Sequence, residues 1–298
     1  MPRPCPRQPR GHLTSRSEHG GRAIRRDLLP LVREELSGRY EVEDQIARGG
    51  AARVFRARDR EGRLVALKIL HPELIVTVTA QRFLREIALL AKLDHPKVAR
   101  LHDYGETDHF VYFVMAFAEG PTLREHLNEV RQAAIERTRS IARDLLDALA
   151  YAHEHGIVHR DVKPENVVLA SEGALLLDFG IARAIARAGT DRLTRSGFAI
   201  GTSTYMSPEQ ASGEEDLDNR SDLYSLGCVL FECVAGRPPF TAAREEAILA
   251  MHVKEDAPDV RSLREDVPEW LAAVIGRALR RPRAERWASA REMLEAIP

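Results

Sequence analysis

Two short segments hold most of the side chains that could do chemistry. His159-Arg160-Asp161-Val162-Lys163-Pro164-Glu165-Asn166 gathers acids, a lysine and an amide, and Asp178-Phe179-Gly180 follows twelve residues after Asn166. Carboxylate and carboxamide oxygens are hard donors of the kind that bind Mg²⁺, and ammonium groups pair with phosphate. Lysine is scarce: the five in the chain are Lys68, Lys92, Lys97, Lys163 and Lys254. Lys163 inside the first segment and Lys68 at the end of an apolar run therefore stand out. His-Arg-Asp or Asp-Phe-Gly alone would be read as a solvated turn.

Together, in order and at this spacing, they resemble the catalytic loop and the metal-binding motif of protein kinases. From Tyr40 to Ala296 the chain is similar to the bacterial eukaryotic-type (Hanks-type) serine/threonine protein kinases. Phosphoryl transfer needs little covalent chemistry from a protein and much positioning: charge on the phosphates is neutralised while a hydroxyl is aimed in line. The resemblance implies Asp161 as the base that orients the acceptor hydroxyl and Lys163 against the γ-phosphate. It also implies Asn166 and Asp178 as ligands of Mg²⁺, with ATP as the phosphate donor. Lysine two places after the aspartate resembles the serine/threonine branch rather than the tyrosine branch.

The same resemblance assigns the nucleotide site. Val65-Ala66-Leu67-Lys68 matches the strand whose lysine binds the α- and β-phosphates, with Ala66 against adenine, and Glu86, eighteen residues after Lys68, is its expected ion-pair partner. A lone Lys–Glu match is more often a weak surface pair. Where the family has GxGxxG, this chain has Ala47-Arg48-Gly49-Gly50-Ala51-Ala52; alanine disfavours positive φ and adds a methyl, so tuned rather than lost ATP binding is expected. Ile46 and Val54 would roof the nucleotide and Val168 would lie beneath it. Phe113 to Gly120 resembles the hinge, with Met115 as gatekeeper and the backbone of Ala116 and Ala118 bonding adenine.

Residues 178–209 resemble an activation segment ending in Gly201-Thr202-Ser203-Thr204-Tyr205-Met206-Ser207-Pro208-Glu209, with Ser207 where the family usually has alanine. By the same resemblance Thr202 would bond near Asp161 and Lys163, Glu209 would pair with Arg286, and Asp222 would anchor the catalytic-loop backbone. Thr194, Ser196 and Thr190 are candidate phosphorylation sites, with Arg160 a positive partner for a phosphate.

The elements that must position these residues are legible as patterns. The expected fold is α+β and two-lobed: a small antiparallel sheet with one main helix, then a larger, mainly helical lobe. Strands are expected at 53–57, 64–70, 98–104 and 110–116. Helices are expected at 80–93, 136–155, 221–235, 243–253, 268–279 and 288–296. An Arg/Pro-rich tail over 1–36 is expected to be disordered apart from a short helix near 23–36 interrupted by Pro30. The domain follows over 37–298, its N-lobe at 37–117 and its C-lobe at 118–298.

The 298 residues are 44% hydrophobic and 30% charged, with a net charge of −1. That suits a globular chain and gives no field to draw it to nucleic acid or an anionic membrane. Cys5, Cys228 and Cys233 are too scattered for a disulfide framework, which fits a reducing, cytoplasmic compartment. Expected partners are protein substrates with Ser/Thr acceptors and a transient homodimer for autophosphorylation in trans. Two other readings compete: a pseudokinase that binds nucleotide as a scaffold, suggested by the altered glycine loop, and a small-molecule phosphotransferase, disfavoured by the peptide-platform look of the GTxxYxSPE segment.

Overall fold

A computed structural model of the protein describes residues 28–49, 52–70, 87–179 and 203–298. Its first part is an antiparallel sheet of β1 (Glu41–Arg48), β2 (Ala52–Arg58), β3 (Leu64–Leu70), β4 (Leu101–Glu106) and β5 (Val111–Ala116), in the order β1-β2-β3-β5-β4. Because strand side chains alternate between faces, register decides what lines the cleft. Val54 and Phe113 lie opposite Lys68, and Met115 lies opposite Ala66. These residues share the face turned toward the chemistry.

The other face buries Phe55, Leu67 and Tyr112 under α1 (Leu29–Glu35), whose Val32 joins Leu36 in that core. Fully burying each of the two stabilises the packing by about 1.5–3 kcal/mol. Pro30 sits in the first turn of α1, where its missing N–H costs nothing. It thus begins the helix expected near 23–36 rather than interrupting it; the earlier residues of that expectation fall outside the described ones.

The larger lobe contains α2 (Leu123–Val130), α3 (Ile135–Glu154), α4 (Pro208–Ala211), α5 (Asn219–Ala235), α6 (Glu245–Lys254), α7 (Glu269–Ala278) and α8 (Ala290–Glu295). The five long expected helices of this lobe match to within two residues at each end. Positions 221–234 of α5 are all buried, which makes it the axis of the lobe. The Asp218 carboxylate caps its start by accepting from the Arg220 N–H, and Gly236, at φ +74°, ends it. Ser221, Asp222, Ser225 and Glu232 are buried polar residues on this helix. Each must find a partner, and two of those partners belong to the site.

The lobe is mainly helical, as expected, and between α3 and α4 it adds a hairpin of β6 (Val167–Ala170) and β7 (Gly173–Leu176). The strand expected at 98–104 starts at Leu101, because the preceding residues leave the sheet to join that hairpin. Ala99 N–H donates to the Leu176 carbonyl at 3.0 Å and Leu176 N–H to that of Lys97 at 2.9 Å. Of the helix expected at 80–93, residues 87–90 are described and helical.

Candidate active site

The catalytic loop is held in an unusual backbone shape. Arg160 adopts φ +68° and Asp178 φ +62°, a left-handed conformation that costs a non-glycine residue about 1–2 kcal/mol. The surroundings enforce it at Arg160. Asp222 accepts hydrogen bonds from the N–H groups of His159 (2.8 Å) and Arg160 (2.7 Å) and contacts His153 Nε2 at 2.8 Å. Burial alone would raise the Asp222 carboxyl, but His153, His159 and the backbone donors hold it below the usual carboxylate range. His159 in turn spans the loop: Nε2 donates to the Leu177 carbonyl at 2.7 Å and Nδ1 accepts from the Asp161 N–H at 3.2 Å. Its ring meets Phe179 edge-on, with centroids 4.6 Å apart.

This frame presents Asp161. Lys163 Nζ lies 2.7 Å from Asp161 Oδ2, and the Asn166 amide nitrogen donates to the same oxygen at 3.0 Å and to the Asp161 carbonyl at 2.8 Å. Both side-chain contacts fall on Oδ2, so Oδ1 is the oxygen left for an acceptor hydroxyl. With its nitrogen committed, Asn166 has its amide oxygen left for a cation.

From the sheet, Lys68 reaches Asp178, Nζ to Oδ2 at 2.5 Å, and stands 5.7 Å from the centre of the Phe113 ring. Asp178 Oδ1 is buried and has no hydrogen-bond partner among the described residues. Glu86, the expected partner of Lys68, lies outside them. Behind this pair a cavity of about 20 Å³ is lined by Ile87, Leu90, Phe113, Met115 and Phe179.

The nucleotide-side residues fall into place as follows. Ala66, Met115 and Val168 are buried, Val54 is half-buried, and Ile46, Ala47 and Gly49 are exposed at the end of β1. Gly49 N–H donates to the Ala52 carbonyl at 2.9 Å, closing the tip of the β1–β2 hairpin. Ala116 N–H donates to the Arg100 carbonyl at 3.0 Å. Ala118 lies past the strand end and makes no backbone hydrogen bond among the described residues. Two residues on, Gly120 holds φ +143°, and a Cβ there would come within 2.2 Å of the Leu169 carbonyl oxygen. Only glycine lets the chain cross this close to β6.

Below the loop lies a polar cluster that the sequence reading missed. Arg124 on α2 contacts Glu165 of the catalytic loop at 2.8 Å, Glu232 of α5 at 2.7 Å and the Tyr205 hydroxyl. Tyr205 donates to Glu232 at 2.5 Å, and burial together with that carboxylate pushes its phenol well above the usual range. No local pattern could reveal partners separated by 108 residues. Gln210 was missed too, although Ser207-x-x-Gln210 is a capping-box pattern. Ser207 and Gln210 cap α4 reciprocally, and Gln210 Nε2 also donates to the Arg160 carbonyl at 2.8 Å.

Glu209 and Arg286 are joined by two bonds of 2.7 and 2.8 Å, as the family resemblance implied. Burial would raise Glu209, but Arg286 and Ser221 hold its carboxyl below the usual range. Thr202, Thr190, Thr194 and Ser196 lie outside the described residues.

Comparison with known proteins agrees with this geometry. The chain is 41% identical over 265 residues to a probable serine/threonine-protein kinase of Streptomyces coelicolor, covering 87% of this chain and 39% of that one. It is 40% identical over 267 residues to the serine/threonine-protein kinase PknB of Mycolicibacterium smegmatis (87% and 42%). Against the serine/threonine-protein kinase PknD of Mycobacterium tuberculosis it is 39% identical over 271 residues (90% and 40%). The chain thus spans about two-fifths of the length of these curated relatives. Residues 40–296 match the protein kinase domain family, and with the catalytic loop, Asp178 and Lys68 arranged as described, the chain belongs to that family.

Proposed function

We propose that the protein is a magnesium-dependent serine/threonine protein kinase that transfers the γ-phosphoryl group of ATP to serine and threonine hydroxyls of proteins. One observation carries the reading: Asp161 is pinned through one oxygen by Lys163 and Asn166, while Lys68 from the sheet pairs with Asp178. A buried carboxylate oxygen without a partner is costly, so Asp178 Oδ1 suits a cation. Asn166 and Asp178 would hold Mg²⁺, the remainder of its oxygen shell coming from phosphates and water. When bound, the metal offsets phosphate charge and polarises the transferring group.

The chain's own residues do the rest. Asp161 Oδ1 takes the proton of the acceptor hydroxyl as the hydroxyl oxygen bonds the γ-phosphorus and the bond from that phosphorus to the β,γ-bridging oxygen breaks, releasing ADP; the proton transfer contributes about 10²–10⁴-fold. Lys163 keeps Asp161 oriented and balances charge on the γ-phosphate, and Lys68 positions the α- and β-phosphates. Ile46, Val54, Ala66 and Val168 enclose adenine, beside Met115, with Ala116 and Ala118 supplying backbone bonds.

All three relatives named above are described as serine/threonine kinases, which supports turnover rather than a nucleotide-binding scaffold. Autophosphorylation at Thr194, Ser196 or Thr190, within a transient homodimer, is the proposed control. Cys228 and Cys233 are buried and unpaired, which suits a reducing cytoplasm. Among the described residues no helix is long and apolar enough to cross a membrane. The test is transfer from labelled ATP to a generic basic protein, with Asp161→Asn as control. Transfer that survives in Asp161→Asn, or is absent from the parent enzyme at saturating Mg²⁺, overturns the proposal.

A further inference from the structure

Helix α6 is attached to the lobe in an odd way. Its sequence, Glu-Glu-Ala-Ile-Leu-Ala-Met-His-Val-Lys, offers five aliphatic residues and a methionine, yet the one residue it buries completely is His252. Apolar docking alone would favour a leucine there. Both ring nitrogens of His252 are instead used, and each reaches a different element. Nε2 lies 3.1 Å from the Thr204 carbonyl, and Nδ1 lies 2.9 Å from the Tyr224 hydroxyl on α5. A carbonyl only accepts, so Nε2 carries the proton, and Nδ1 accepts from Tyr224. The Tyr224 hydroxyl therefore fixes the tautomer that donates to Thr204.

The rings around it leave little freedom. Phe240 meets His252 edge-on at 4.9 Å and Tyr224 does so at 5.7 Å. The guanidinium of Arg286, which grips Glu209, lies 4.8 Å from the centre of the Tyr224 ring. An unbroken path runs from Glu209 through Arg286, Tyr224 and His252 back to Thr204, closing a loop around Ser203–Glu209. Two further ties lead from here to the catalytic loop, Tyr205 through Arg124 to Glu165 and the adjoining Gln210 to the Arg160 carbonyl, while Tyr205 and Glu209 also bond Glu232 and Ser221 of α5. None of these holds Thr204.

We propose that His252 is a positioning residue for the protein substrate: by donating from Nε2 to the Thr204 carbonyl it sets the Ser203–Tyr205 turn at the height at which an acceptor peptide meets Asp161. The assignment rests on the protein-kinase reading above, in which this turn bears the peptide. Burial keeps the ring neutral, with its pKa pushed down to about 4, so the donor–acceptor arrangement holds at neutral pH.

Steady-state kinetics with a serine peptide and ATP tests it. His252→Leu removes both bonds at similar volume, and is expected to lower kcat/KM for the peptide about tenfold, while KM for ATP stays within twofold. His252→Gln, whose amide nitrogen reproduces the Nε2 donor, should recover most of the loss. Equal losses toward peptide and ATP, or no loss toward peptide, overturn the assignment. Should His252→Leu not fold, His252→Asn takes its place: it keeps a partner for Tyr224 but is too short for Thr204, and an unchanged peptide KM refutes the role. The kinase reading fails separately, if the parent enzyme transfers phosphate to no peptide at all.

Discussion

Lys68 and Asp178, 110 positions apart in the chain, meet across the cleft with 2.5 Å between Nζ and Oδ2. Lys68 belongs to the central strand of the sheet and Asp178 to the segment leaving the β6–β7 hairpin, so this contact couples the two lobes. The side chains are 15% and 16% exposed, dry enough for the pair to matter more than a surface ion pair. Each also keeps capacity for a ligand: Lys68 for phosphate oxygens, Asp178 for a cation at Oδ1.

Replacing Lys68 by methionine tests that coupling. The variant should lose about 10²–10³-fold in kcat, the usual cost of removing one preorganised electrostatic group. Asp178 would also lose its partner, so the apparent affinity for Mg²⁺ should change along with that for ATP. A variant with parental kcat would show that the cleft works without this bridge.

Asp222 is the support on which the loop geometry depends. Asp222→Ala strands His153 and two buried backbone N–H groups, and a loss of about 3–5 kcal/mol is expected, read as a lowered midpoint in urea. Asp222→Asn keeps one accepting oxygen and should cost less stability, while still lowering kcat because Arg160 is no longer forced into its left-handed conformation. Unaltered kcat in Asp222→Asn would mean the loop holds its shape unaided.

How much of this could be read from sequence follows from the range of each interaction. Leu64–Leu70 was recovered to the residue because its apolar run and flanking turn signals are local. The β6–β7 hairpin was not, since two strands of four residues are too short for periodicity to separate from buried helix. The candidate catalytic residues stand out as a motif, whereas Arg124, Glu232 and His252 do not: their contacts exist only through partners on distant elements. Lys68 shows the mixture, a residue named by its strand whose contact with Asp178 the motif did not announce.

Gly49 separates a fold requirement from a ligand requirement. Among the described residues, a Cβ at this position would meet only the Ala52 carbonyl oxygen, at the ordinary contact distance of 3.6 Å. Gly49→Ala should therefore leave the melting temperature unchanged within error while raising KM for ATP several-fold, through the methyl it places near the phosphates. A drop in melting temperature without a change in KM would reverse that assignment.

Ser207 caps α4 together with Gln210. Ser207→Ala should cost about 1 kcal/mol of stability. It should also loosen Gln210 from the Arg160 carbonyl, a bond of 2.8 Å that joins α4 to the catalytic loop. The expected signature is a modest fall in kcat with KM for ATP preserved; equal kcat in the two proteins would assign Ser207 to helix stability alone.

Acid should destabilise the protein partly through His252. Burial disfavours its charged form and pulls its pKa from 6.5 to about 4 in the folded state. The groups facing it are the Tyr224 hydroxyl, the Phe240 ring and the backbone carbonyls of Ser203 and Thr204, none of them charged in acid. Between those two pKa values the unfolded chain binds a proton that the folded chain refuses, so stability falls as pH falls, by about 1.4 kcal/mol per pH unit from this residue. Across the whole window the loss approaches roughly 3 kcal/mol. Urea unfolding of the parent and of His252→Gln, measured from pH 7 down to pH 4.5, isolates the contribution because the carboxylates are common to both. The parent should lose stability more steeply below about pH 6.5. Parallel curves would show that the ring takes up its proton in the folded state as readily as in the unfolded one.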